Sequence, residues 1–361
     1  MTPQVYLLRI LDWKDPLAVA RRFAGFLEAT PILASVGAKD LAAVKLTFGE
    51  AGNHGHPHPA LVRELVAALR RRGARPFLTE TNTLYAGRRR DSVEHLQVAR
   101  EHGFTHETID APILLGDGLL GRDGLDFPLG GAEVETAHLA PLLRDVDFLV
   151  GLAHLTGHLL CGFGGAIKNM GRGLANRAGK LHMHSVVHPV VRAEKCTLCG
   201  ACVEACAPHA IAPGARSVAI AGALCTGCAE CLAVCPTGAI GIDWSNDSDR
   251  VQRRLAEYAL AVHRSLRGRA AFVTLLNGIS THCDCMGHAP DRIAPDIGIA
   301  ASLDPVALDQ ASLDLTLAAA GADPFRRAWP NVNWEIQLEH AARVGLGLRS
   351  YDLVELSGDG G

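Results

Sequence analysis

Eleven cysteines and 17 histidines occur among 361 residues, and eight of the cysteines fall between Cys196 and Cys235. They form two runs of one spacing, C-x2-C-x2-C-x3-C: Cys196, Cys199, Cys202 and Cys206, then, 29 residues on, Cys225, Cys228, Cys231 and Cys235. Two-residue gaps fold three thiolates around one face of an iron–sulfur cube, while backbone N–H groups of the tight loop face the sulfides. The fourth thiolate must come from elsewhere in the chain. Zinc sites tolerate cysteine pairs but leave the third evenly spaced cysteine unexplained, and disulfides are foreign to the cytosol in which this chain is expected. Two [4Fe–4S] clusters are the expected cofactors.

The double run resembles that of bacterial two-cluster ferredoxins, where the last cysteine of each run ligates the other cluster. The resemblance implies one site of Cys196, Cys199, Cys202 and Cys235, and a second of Cys225, Cys228, Cys231 and Cys206. Matching tails, Pro208-His209-Ala210-Ile211 and Pro236-Thr237-Gly238-Ala239-Ile240, would begin the strand closing each half of a pseudo-twofold domain. Cys206 is followed by Ala207 before its proline, one residue off the commoner pattern. The expected insert is an α+β bacterial ferredoxin-like domain over residues 190–245.

Three other stretches concentrate residues that can ligate metal or move protons. Residues 49–58 hold His54, His56 and His58. A second stretch runs from His154 and His158 through Gly162-Phe163-Gly164-Gly165-Ala166-Ile167-Lys168-Asn169 to His182 and His184. The third is His282-Cys283-Asp284-Cys285. Each has a plainer alternative: a solvated turn, a flexible glycine turn, an ordinary buried turn. Cys161 stands alone and reads as a small buried hydrophobe. No Walker or Rossmann spacing accompanies the glycines, so nucleotide binding is not implied. Only six lysines accompany 29 arginines, which makes Lys168 inside a motif worth noting.

Around the insert, short apolar runs read as strands at residues 5–8, 43–46, 76–79, 148–151 and 272–276. Residues 59–69 have apolar positions at helical spacing, and helices are also expected over 249–266, 304–320 and 334–344. Buried strands alternating with such helices predict an α/β fold with a mainly parallel sheet, split by the insert into residues 1–189 and 246–361. Ligands of such sheets gather at the carboxyl ends of the strands, where all three stretches would meet.

Hydrophobic residues make up 48% of the chain and charged residues 20%, enough apolar material for a sizeable core. A formal charge of −3 gives no electrostatic reason to expect nucleic acid or an anionic membrane as partner. The first residues lack the pattern of a secretory signal, and no run of 18 apolar residues occurs, so a cytoplasmic location is expected.

Lys168 within Gly-Phe-Gly-Gly-Ala-Ile-Lys-Asn-Met-Gly, His182-Met-His184, the cysteine runs, Cys283-Asp-Cys285 and the segment from Asp296 to Asp309-Gln together resemble the domain-of-unknown-function 362 family. That resemblance implies an iron–sulfur protein on an α/β scaffold and names no substrate. A more distant similarity is to the nickel-pincer lactate racemase family. There a His, a Gly-Phe-Ser-Gly-Gly segment, a Lys that tethers the cofactor and a later His that ligates nickel line the active site. His158, Gly162 to Gly165, Lys168 and His184 are similar in order, and His54 or His56 resembles the upstream catalytic His. Gly164 stands where those enzymes have Ser, the residues after Lys168 differ, and the cysteine insert is not theirs.

The expected function is an oxidoreductase in which a redox partner protein exchanges electrons with the clusters, which lead to a pocket in the scaffold. Its expected catalytic residues are Lys168, His158, His184, His54 and His56. Gly164, Gly165, Asn169, Cys283, Asp284 and Cys285 would bind a further metal, an organic cofactor or a small-molecule substrate. Two other readings stay open: a ferredoxin-like carrier whose scaffold only docks a partner, and a racemase-like enzyme whose clusters are structural.

Overall fold

The computed structural model describes residues 2–84, 87–184, 189–225, 227–241, 248–285, 287 and 291–356. Its centre is one eight-stranded sheet, built from β1 (Gln4–Arg9), β2 (Leu41–Lys45), β3 (Arg75–Glu80), β4 (Ile113–Leu115), β5 (Phe148–His154), β6 (Ala270–Leu276), β7 (Gly298–Ser302) and β8 (Asp352–Leu356). The spatial order is β8-β1-β7-β6-β5-β2-β3-β4. Only β7 runs against its neighbours β1 and β6; every other pair is parallel. The mainly parallel α/β architecture expected from the sequence is the one observed.

Burial explains the sequence pattern of the strands. Every residue of β5 and β6 is buried, because both faces of these central strands are covered. Alternate residues feed opposite cores. Leu149, Phe272 and Ala300 pack towards α4 (Ala166–Gly171), α6 (Ser248–Ser265), α7 (Pro305–Ala320) and α8 (Glu335–Arg343). Val150, Val273 and Ala301 pack towards α1 (Pro16–Ala29), α2 (Pro59–Arg71) and α3 (Ser92–Glu101). Local signals set the helix ends: Asp15 and Asp304 each accept two backbone N–H bonds just ahead of a proline in the first turn. Among the described residues no helix is long and apolar enough to cross a membrane.

From β2 the chain passes through α2 to β3 on one side, whereas from β5 it leads eventually to β6 on the other. The neighbours β2 and β5 therefore form a topological switch point, with an open crevice at their carboxyl ends. A short antiparallel pair, Thr156–His158 with Gly162–Gly164, follows β5 and delivers the chain into α4, and α5 (Arg177–His184) comes next.

Helix α4 has a glycine, Gly165, at its N-cap and so no capping side chain of its own. Asp309, fully buried on α7, supplies the missing acceptor, taking the N–H groups of Ala166 (2.7 Å) and Ile167 (2.9 Å). A Cβ on Gly165 would lie 2.3 Å from Asp309 Oδ1, so glycine is what lets the carboxyl approach. Burial pushes the Asp309 carboxyl up to about 7, and the two N–H donors oppose that rise.

Residues 190–241 carry their own small elements. Val190–Val191 pairs antiparallel with Ile240–Gly241, Ile211–Pro213 with Val218–Ile220, and short helices span Ala201–Glu204 and Glu230–Val234. The end expected for the insert, residue 245, lies outside the described residues. A third core joins Cys202, Cys206, Cys231 and Cys235 to Ile211, Val218 and Ile240, and to Leu84 and Leu181 of the scaffold. Buried Glu230 binds Arg177 of α5 (3.4 Å) and Arg122, fastening this segment to the scaffold.

Asp309→Ala strands two N–H donors at the start of α4 and should cost about 1–3 kcal/mol of stability by urea denaturation. An unchanged midpoint would show that α4 is not held from α7.

Candidate functional site

A cavity of about 100 Å³ opens at the crevice between β2 and β5. It is below the usual range for drug-sized ligands and suits a small molecule better than a nucleotide. Three of the six lysines meet in it: Lys45 at the end of β2, Lys168 on α4 and Lys180 on α5. Arg89 and Arg172 line it too, against the carboxylates of Glu80 and Asp284. Positive charge prevails, in a place where charge is poorly solvated.

The three lysines are held differently. Lys45 Nζ lies 2.8 Å from Glu80 Oε1 and donates to Leu46 O (2.7 Å) and Asn169 Oδ1 (3.0 Å). Asn169 returns a bond from Nδ2 to Lys45 O (3.1 Å), tying α4 to β2. Lys180 Nζ donates to Thr81 Oγ1 and to Asn82 O (2.6 Å), with Asp117 at 3.9 Å. Lys168 Nζ has no hydrogen bond or ion pair among the described residues. Its chain passes over Gly164, where a Cβ would lie 2.7 Å from Lys168 Cδ. Burial, then the nearby Arg172, pulls the Lys168 ammonium down to about 8.

Gly164, Gly165, Lys168, Asn169, Cys283, Asp284 and Cys285 all line this cavity. Cys283 and Cys285 are joined by a disulfide, so neither offers a thiolate to a metal in this state. Asp284 between them binds His154, the last residue of β5, at 3.0 Å from Nδ1, while Nε2 of the same ring faces Asn277 O at 2.6 Å. Both ring nitrogens meet only acceptors, so both carry protons. Burial opposes that charge, but Asp284 and the carbonyl outweigh it and raise the His154 pKa.

The histidines expected to act there do not line the cavity. His54 is exposed, and His56 stacks on His102 with ring centroids 4.5 Å apart, its pKa drawn down to about 4 chiefly by burial. Their loop reaches the site by its backbone instead. A Cβ on Gly55 would lie 2.3 Å from Asp284 Oδ1, and Glu50 N donates to Asp284 O. His158 Nδ1 accepts the N–H groups of Leu160 (3.3 Å) and Cys161 (3.2 Å), locking the turn that leads to Gly164. His184 Nε2 accepts from Arg172 Nε at 2.8 Å and orients that guanidinium at the cavity. Burial keeps His158 and His184 neutral. His154 stands in the second stretch picked out from the sequence but with no role assigned there, whereas Lys45 and Lys180 are not among the expected site residues, although the scarcity of lysine is a usable signal for both.

The cysteine runs also gather in space. One cavity is lined by Cys196, Cys199, Cys202 and Cys235, with Leu198, Val218 and Ile240 around them. Cys231 feels Cys228, Cys225, Cys202 and Cys206, and burial with these neighbours pushes its thiol up to about 12. The backbone repeats with the same 29-residue period: Leu198 and Gly227, Gly200 and Ala229, His209 and Gly238 all have positive φ. Ala210 N and Ala239 N donate to Cys206 Sγ and Cys235 Sγ, each at 3.2 Å. Among the described residues no three or more His, Cys, Asp or Glu side chains close around a single metal ion.

This chain belongs to the DUF362 family: residues 42–314 match its description, "Domain of unknown function (DUF362)". Among solved structures it is similar to the lactate racemase apoprotein from Thermoanaerobacterium thermosaccharolyticum, at 11% identity and a TM-score of 0.45 over 83% of this chain and 54% of that one. It is also similar to a Thermotoga maritima structural-genomics protein, at 10% identity and a TM-score of 0.41 over 90% of this chain and 59% of that one. The chain thus spans little more than half the length of either. No curated protein matches it.

The raised pKa of His154 makes its bond to Asp284 pH-dependent. The stabilisation is complete below the ordinary histidine value of 6.5 and is lost as pH rises through the higher folded value. Urea midpoints measured from about pH 5.5 to about pH 8.5 should fall more steeply for the wild-type protein than for His154→Gln. Parallel profiles would mean the pair is not charged.

Proposed function

We propose that the chain is an iron–sulfur oxidoreductase, with two [4Fe–4S] clusters in a ferredoxin-like segment over about residues 190–245 and a cationic small-molecule site in the α/β scaffold. The observation that carries the reading is the lining of one cavity by Cys196, Cys199 and Cys202 of the first run and Cys235 of the second. This is the crossed donor set that a two-cluster ferredoxin uses.

The donor chemistry fits such a group. Buried thiols crowded without a counter-charge resist ionisation, as Cys231 does, and a cationic cluster core relieves that penalty. Left-handed residues recur at matching places in both loops, and such turns are the backbone geometry that builds anion-binding nests of N–H groups, which would suit the sulfides. A cube spreads its four thiolates around its own width instead of drawing them to one point. When bound, each cluster supplies one electron at a time, delivered by an external carrier protein.

In the scaffold, Lys168 supplies at the cavity wall an ammonium that has no hydrogen bond or ion pair among the described residues. Lys45 and Lys180 are neutralised in part by Glu80 and Asp117, leaving Lys168 as the group that takes an anionic substrate. Arg172, held by His184, can clamp a second oxygen of that anion. An anionic substrate distinguishes this reading from a carrier whose scaffold only docks a partner.

Anaerobic isolation with metal and sulfide analysis should find about eight iron and eight sulfide per chain, falling to about four in Cys235→Ala. Iron below two per chain after reconstitution would sink the cluster assignment. Binding of oxalate, followed by calorimetry, should weaken about tenfold per unit as pH rises above about 8 and should lose that pH dependence in Lys168→Met. Oxalate binding unaffected by Lys168→Met would favour the plain carrier.

A further inference from the structure

Cys283 and Cys285 close a disulfide across a single intervening residue in the wall of the cationic cavity. A cross-link stabilises a fold mainly by closing a long loop of the unfolded chain, and a loop this short gives the smallest return. Stapling is therefore a poor account of the pair. Its setting has the marks of a reactive one. Cys283 is buried and Cys285 half-buried, and both line the cavity, so the two residues differ in their exposure to solvent. The Lys168 ammonium lines the same wall, and a nearby cation favours thiolate. Asp284, the residue between the two cysteines, is bonded by His154 through its side chain and by Glu50 N through its carbonyl, which anchors the turn that carries the pair.

The cavity also lies close to the cysteine-rich segment. Lys180 and Thr83 line it, while their chain neighbours Leu181 and Leu84 pack into the core that holds Cys202, Cys206, Cys231 and Cys235. One layer of residues separates the two places.

We propose that Cys283 and Cys285 form a second redox centre, a dithiol–disulfide couple that collects two electrons in the cavity. This rests on the reading of residues 190–241 as an electron-carrying segment. In the reductive step the S–S bond breaks as the pair takes up two electrons and two protons, giving two thiols. The electrons arrive singly from a reduced low-potential iron–sulfur carrier protein through that segment, and the protons come from water at the cavity mouth. The scaffold thereby converts one-electron delivery into a two-electron store beside Lys168.

The test uses the whole chain, isolated anaerobically with its iron measured, and titrated with dithionite. The oxidised protein should yield the tryptic peptide 270–292 with neither cysteine alkylated by iodoacetamide, and the reduced protein the same peptide alkylated twice. Uptake should be about four electrons per chain, against about two for Cys285→Ser, with the visible absorbance of the clusters bleaching equally in both. Clusters that bleach while the wild-type peptide stays unalkylated overturn the couple. So does a peptide alkylated twice before reduction. A chain that binds no iron after reconstitution overturns instead the reading on which the electron supply rests, and metal analysis tells the two failures apart.

Discussion

Lys45, Lys168 and Lys180 bring three ammonium groups to one small cavity where water is scarce, and burial draws all three below the ordinary lysine value. Like charges so placed repel, and each must be neutralised, paired or given a ligand. Glu80 answers Lys45 and Asp117 faces Lys180, while Lys168 has no carboxylate bonded to it among the described residues. Much of the nearby architecture keeps that ammonium in place. Asp309 caps α4 from α7, Asn169 ties α4 to β2, and Gly164 leaves room for the lysine stem.

The histidines around this arrangement are held in place by hydrogen bonds to their neighbours. His158 closes the turn before Gly164 and His184 aims Arg172, and both stay neutral because burial and neighbouring cations disfavour a second proton. His154 is the exception. It stands between a carboxylate and a carbonyl, and its charge partly balances Asp284 within a cationic wall. One segment connects this wall to the cysteine-rich core: α5 offers Lys180 to the cavity, Leu181 to the cysteines and Arg177 to Glu230.

The strands were legible because each is a short continuous apolar run, as burial on both faces requires, and the helices because apolar residues recur at helical spacing. Residues 148–151 and 272–276 fall within β5 and β6, and the helix expected over 304–320 spans Pro305–Ala320 behind its cap Asp304. The site was legible only where its residues share one local motif, as with Gly164, Gly165, Lys168 and Asn169, or Cys283 to Cys285. Histidine loops were harder. Alternation places His54, His56 and His58 near the end of β2, but nothing in their spacing says that His56 turns onto His102 and Phe104.

Sequence alone determined the features whose physics is local: the doubled cysteine spacing, which recurs as a 29-residue period in the backbone, and the continuous apolar runs that make a buried sheet. The tertiary structure decided which distant side chains share a cavity. Asp309 reaches Ala166 from 143 residues away because α7 and α4 pack together on one face of the sheet, and Lys45 reaches Asn169 across 124 because strand order sets β2 beside β5. Spacing controls neighbours within a turn or a strand pair; only the packing of the sheet selects which charges must be buried together.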